Sequence, residues 1–215
     1  MVAVVVAVLV LVFGVGQLVL PSIAEKVARE KIERYGKVQS VSIEAVPAIQ
    51  LAWKSAQSVS VNVSHIEVTP KQATDLLHES KPFAKVDGVL QLLIIKAQAA
   101  GLTVPLPLRD VHVHKRQEEI VAEGQLLESD LRSALPGGAK VQLVPTADER
   151  VVMNVESGFF SGKVEVAAKN GALVLAPAES SESLPLFSDP RIDIESVHAR
   201  SGPGGETVAV RARLR

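Results

Sequence analysis

The chain has 215 residues, with 23 Lys and Arg against 24 Asp and Glu, 47% hydrophobic side chains and only 3% aromatic ones. A net charge of −1 with one Trp and one Tyr argues against a nucleic-acid binder, which needs a basic excess and aromatic platforms for stacking. The lack of cysteine excludes a disulfide framework, a lipid-modified cysteine and a thiolate metal site.

Residues 2–20 form an apolar run broken only by Gln17. At about 1.5 Å per helical residue it nearly crosses a hydrocarbon core about 30 Å thick, so residues 1–20 read as an N-terminal transmembrane anchor. A cleaved signal competes with this, because Ser22-Ile23-Ala24 puts small residues before Glu25, but the run exceeds the usual signal core of about 7–15 residues. The flank after the run carries Lys26, Arg29, Lys31, Arg34 and Lys37. Taken alone, that bias places the following domain in the cytoplasm.

Ser22 and Glu25 are spaced as a capping box, and Glu25/Arg29, Lys26/Glu30, Arg29/Glu33 and Glu30/Arg34 are helical i,i+4 pairs. Ala24, Val27, Ala28, Ile32 and Tyr35 leave a narrow apolar stripe, and Gly36 offers a left-handed stop. Residues 21–37 therefore read as a solvated amphipathic helix joining anchor to domain.

From Val38 the period changes to two. "VQSVSIEAV" and "SVSVNV" alternate apolar and polar residues as half-buried antiparallel strands do. Thr69-Pro70-Lys71-Gln72 signals a capped helix, with Pro82 barring its extension. "GVLQLLIIKA" and "LTVPLPLRDVHVH" give further strands, "EEIVAEGQLL" their partner, and "ESDLRSALPGG" a short helix. "AKVQLV" and "RVVMNV" form a hairpin. In "KVEVAAKNGALVLA", Asn170-Gly171 suits a type I′ turn. "RIDIESVHA" and "TVAVRARLR" are a last pair joined by a glycine-rich loop. The expectation for residues 38–215 is one α+β domain with a long antiparallel sheet and a few short helices.

No catalytic constellation emerges, and the chain reads as a non-enzyme without a cofactor. His112 and His114 share one strand face but lack further ligands. "GFFSG", residues 158–162, misses the G-x-S-x-G elbow and reads as a turn, with Phe159 and Phe160 available to the core or to an acyl chain. Arg211, Arg213 and Arg215 share a face of the last strand, where they either guard an exposed edge or meet anionic head groups. Leu92, Leu93, Ile94 and Ile95 occupy both faces of one strand, which requires apolar cover on both sides. A lipid tail or a second sheet layer would provide it.

The run "QLVLPSIAEKVAREKIERYGKVQSVSIEAVPAIQLAW", residues 17–53, resembles the start of the actinobacterial LmeA-like family of phospholipid-binding envelope proteins, formerly a domain of unknown function. "SDLRSALPGG", "SGKVEVAAKNGALVLAP" and "LPLFSDPRIDIESVHA" extend the resemblance over nearly the whole chain. It implies a domain outside the cytoplasmic membrane that binds phospholipid and supports envelope lipoglycan synthesis. It also implies similarity to tubular lipid-binding folds, in which a curved antiparallel sheet wraps a helix and leaves an apolar groove. The expected function is thus a membrane-anchored, outward-facing phospholipid binder. The alternative is a non-catalytic adaptor that stabilises an envelope glycosyltransferase without holding lipid.

Overall fold

The computed structural model describes residues 24–44, 56–99, 102–135, 139–144, 146, 150–156, 161–177, 183–202 and 205–215. The expected membrane anchor of residues 1–20 lies outside them. Among the described residues no helix is long and apolar enough to cross a membrane.

The period-two runs become strands whose valines share one face. Val59, Val61 and Val63 of β2 (Ala56–Val68) stand beside Ile43, Val41 and Val38 of β1 (Gly36–Glu44). Helix α1 (residues 24–33) lies against this face: Ala24 and Ala28 pack on Ile43 and Val59, while Ile32 and Tyr35 pack near Val63 and Ile66. The helix expected as a solvated stalk is therefore docked on the sheet. The apolar stripe has the expected members except Val27, which is 49% exposed.

Two of the charged side chains on α1 are engaged differently from expectation. The Glu25 carboxylate accepts the Ile43 N–H at 3.1 Å, and Arg29 donates to the Gln39 carbonyl at 3.1 Å. They occupy main-chain groups of β1, an edge strand of its sheet. Of the four anticipated pairs, Arg29 and Glu33 approach to 3.8 Å. Gly36 opens β1, and its glycine identity has a different cause from a left-handed stop. A Cβ there would stand 1.9 Å from the His65 carbonyl oxygen.

Between β2 and β3 (Phe83–Ala99) runs α2 (Pro70–Glu79), opened by the anticipated box: Gln72 N–H donates to Thr69 Oγ1 at 3.3 Å, and Thr69 N–H to Gln72 Oε1 at 2.8 Å. Because a helix carries the chain back along the sheet, β2 and β3 pair in parallel, against the expectation of a wholly antiparallel sheet. A crossover permits what a tight hairpin forbids.

The antiparallel run continues with β4 (Leu102–Arg116) and β5 (Glu119–Leu127). Beyond α3 (Glu128–Ala134) come β6 (Lys140–Val144), β7 (Val151–Glu156), β8 (Ser161–Lys169), β9 (Ala172–Pro177) and β10 (Leu184–Phe187). These five strands make a separate antiparallel sheet, ordered β10-β9-β8-β7-β6. Asn170 and Gly171 at the β8–β9 turn have φ of 53° and 77°, as a type I′ turn requires. The chain closes with β11 (Ile192–Gly202) and β12 (Gly205–Leu214), giving a seven-stranded sheet ordered β1-β2-β3-β4-β5-β12-β11. The single expected sheet is thus two.

The main core lies between them. Leu126 and Ala199 from the larger sheet meet Val141, Leu143, Val151, Met153 and Val164 from the smaller, with Leu131 of α3 inserted. Helix α3 also covers the edge of β6. Glu128 accepts the Leu143 N–H at 2.8 Å, and Arg132 donates to the Val141 carbonyl at 3.1 Å. Glu25/Arg29 on β1 and Glu128/Arg132 on β6 are the same device, an acid and an arginine one helical turn apart that engage an edge strand's outward groups.

Candidate functional site

Leu92–Ile95 is resolved into two faces by its register. Leu93 stands between Ile66 and Leu108, and Ile95 between Val68 and Leu106; these are inward residues. Leu93 packs on Val63, Ile66 and Val68 together with Ala73 and Leu76 of α2. Leu92 and Ile94 point to the opposite face, where their cross-strand neighbours are His65 and Arg109, and Glu67 and Pro107.

That outer face is otherwise polar. On it, Leu92 and Ile94 are half-buried, Pro107 is buried, and Val89 is 39% exposed. The apolar row has a charged border. Lys96 pairs with Glu67, whose other oxygen takes His65 Nε2 at 3.3 Å. These contacts hold the Glu67 carboxyl below the ordinary carboxylate value, the Lys96 hydrogen bond contributing most. Arg109 is bidentate to Asp130 at the start of α3.

Arg211, Arg213 and Arg215 also lie on the outer face, each with a carboxylate: Glu119 at 3.5 Å, Glu195 at 3.2 Å and Asp193 at 2.8 Å. Strand β12 is interior, between β5 and β11, so the guarding of an exposed edge does not describe it. His114 Nδ1 contacts Asp87 at 2.8 Å, and with Lys85 and Arg116 it holds the Asp87 carboxyl down at about 2. Among the described residues no group of three His, Cys, Asp or Glu could hold a metal ion. Phe159 and Phe160 lie outside the described residues.

A cleft of about 630 Å³ opens where α3 meets the ends of β6, β7 and β8. Its charged lining is Arg132, Lys140 and Lys163 with Glu128 and Glu156, and Gln142, Asn154 and Ser161 add neutral donors and acceptors. Arg132 and Glu128 are mutually paired at 2.7 Å. Nothing in the sequence singled this site out, because its members come from four elements.

Two buried ionisable groups were also missed. Lys115 is 1% exposed and donates to the Phe83 carbonyl, and burial lowers its value. Glu206 is 3% exposed, its Oε2 has no hydrogen-bond partner among the described residues, and burial raises its carboxyl. The signal was available: Lys115 continues the inward register of Val111 and Val113, and Glu206 that of Val208 and Val210.

No protein-family model, curated protein or solved structure matches the chain.

Proposed function

We propose that this protein is a membrane-anchored, outward-facing, non-catalytic phospholipid binder of the cell envelope, related to the LmeA-like family that its sequence resembles. The observation that carries this reading is the outward pair Leu92 and Ile94, half-buried beside Pro107 on a sheet face whose other neighbours, His65, Glu67 and Arg109, are polar. An acyl chain laid along Val89, Leu92 and Ile94 removes apolar surface from water on both sides. Each buried methylene contributes about 0.8 kcal/mol, so half of one acyl chain supplies several kcal/mol before ordering costs. The docking of α1 on the sheet is in keeping with a tubular lipid-binding arrangement, and the apolar run of residues 2–20 provides the tether.

The test is native mass spectrometry of the full chain extracted gently from membranes. Co-purified phospholipid, displaced by added lipid, is expected. Repeated preparations free of lipid that also ignore anionic vesicles would replace the binder with the adaptor reading, in which the same apolar row meets a membrane glycosyltransferase. A reporter fused after Arg215 tests topology, and activity of a reporter confined to the cytoplasm would overturn the outward assignment.

A further inference from the structure

We infer that the cleft between α3 and the ends of β6–β8 binds a phosphate ester, and, resting on the lipid reading above, that this ester is the head group of an anionic phospholipid. Most of the arginines are already engaged. Arg211, Arg213 and Arg215 each face a carboxylate, and Arg109, Arg150 and Arg191 are paired with Asp130, Glu165 and Asp189. In the cleft the balance differs. Glu128 is held by the Leu143 N–H and by Arg132, and Glu165, two residues along the strand from Lys163, is held by Arg150. Lys163 therefore has no carboxylate partner among the described residues. Lys140 has only Glu156, at 3.8 Å with both side chains well exposed.

Register then places donors between these two cations. Gln142, Asn154 and Lys163 form one cross-strand row, and Lys140, Glu156 and Ser161 the next. Alternate residues share a face, and neighbouring strands lie about 4.8 Å apart. Lys140 and Lys163 stand on the flanking strands in adjacent rows, about 12 Å apart along the diagonal, with Asn154 and Glu156 of the middle strand between them. Both lysine side chains are long enough to reach over the middle strand from either side. Two ammonium groups, two carboxamides and a hydroxyl supply the many donors that a tetrahedral anion accepts. Glu156, the one acid not fully engaged, suits a hydroxyl of the alcohol esterified to the phosphate.

The experiment uses the full chain and two probes. The first is vesicles of phosphatidylglycerol and phosphatidylcholine in equal parts, compared with phosphatidylcholine alone. The second is sn-glycerol 3-phosphate, followed by the NMR shift of the Asn154 side-chain amide. A lysine facing an anionic surface contributes about fivefold in affinity. Lys140→Gln/Lys163→Gln is therefore expected to weaken binding to the mixed vesicles about 25-fold, leave neutral-vesicle binding and the melting temperature unchanged, and abolish the Asn154 shift. Arg211→Gln/Arg213→Gln is expected to keep the anionic preference. An Asn154 response that needs both lysines in a protein that binds no vesicle and carries no lipid supports the phosphate site and removes the lipid as its source. Loss of vesicle preference without a response to glycerol phosphate supports the lipid head group as the sole source. If the lysine variant keeps the wild-type preference and glycerol phosphate leaves Asn154 unmoved, the inference is wrong.

Discussion

Replacing Leu93 and Ile95 together with Ser should be far more damaging than replacing Leu92 and Ile94, although the four residues are consecutive and apolar. Leu93 packs on Val63, Ile66 and Val68, which are 2%, 5% and 3% exposed, and under two side chains of α2. Large-to-small changes in packed cores cost about 2–5 kcal/mol each, and burying a hydroxyl without a partner adds about 1–3 kcal/mol. Discounted for the partial exposure of both side chains, the inner pair should lose about 4–7 kcal/mol. That rivals the whole stability of many domains, about 5–15 kcal/mol. The outer pair is half-buried and leaves no closed cavity, and its new hydroxyls lie beside His65, Glu67 and Arg109. It forfeits about half of the 1.5–3 kcal/mol that full burial of each side chain contributes, or about 1.5–3 kcal/mol in total. At about 2–4 °C per kcal/mol the melting temperature should fall by about 3–12 °C. Urea unfolding and lipid content measured on both variants give the comparison. The outer variant should fold and lose its lipid. Equal and severe destabilisation by the two variants, or an outer variant that keeps its full lipid complement, would refute the assignment.

Glu206→Met should stabilise the protein by about 1–3 kcal/mol at pH 8. Burial raises the folded-state carboxyl, so the wild type loses stability as pH climbs from the ordinary carboxylate value through the raised one; the variant should lose that slope and match the wild type near pH 4. Asp189 is held at about 2, chiefly by its Arg191 hydrogen bonds. Its contribution is present above the ordinary value and lost as pH falls toward 2, so Asp189→Asn should cost about 1–2 kcal/mol at pH 7 and little at pH 2 in urea titrations. Glu128→Ala/Arg132→Ala frees the Val141 and Leu143 main-chain groups on the β6 edge and should produce concentration-dependent association by light scattering. Gly36→Ala forces a methyl against the His65 carbonyl and the Ile66 Cα, and a loss of at least about 2 kcal/mol is expected in thermal melts.

What the sequence made legible was local. Strand positions followed from alternation, the α2 start from Thr69 and Gln72, and the β8–β9 turn from Asn170-Gly171, because each rests on neighbours within a few residues. Pairing partners were less accessible. Whether the chain returns beside β2 in parallel or antiparallel depends on how α2 lies over the sheet. The division into two sheets depends on contacts between distant strands, and the short β10 carries too few residues to show a period. Glu25 and Arg29 illustrate a second limit. Their i,i+4 spacing suits pairing with each other, yet the same spacing lets them reach Ile43 and Gln39 once α1 docks beside β1. For the site, the doubly apolar strand was visible, but which pair faces outward needed the register. The cleft was invisible because Arg132, Lys140, Asn154 and Lys163 are brought together only by tertiary structure.

Among the described residues, the strand latest in sequence does not lie at the edge of its sheet. Residues Gly205–Leu214 lie between β5 and β11, and β11 has no other neighbour in the seven-stranded sheet. A chain made or threaded from its N-terminus can build β1 to β5 early, but β11 must wait for the strand that joins it to them. The larger sheet therefore closes only when β12 is delivered. Until then the larger sheet keeps an open seam between β5 and β11. Loss of β12 would take out a middle plank rather than trim an end.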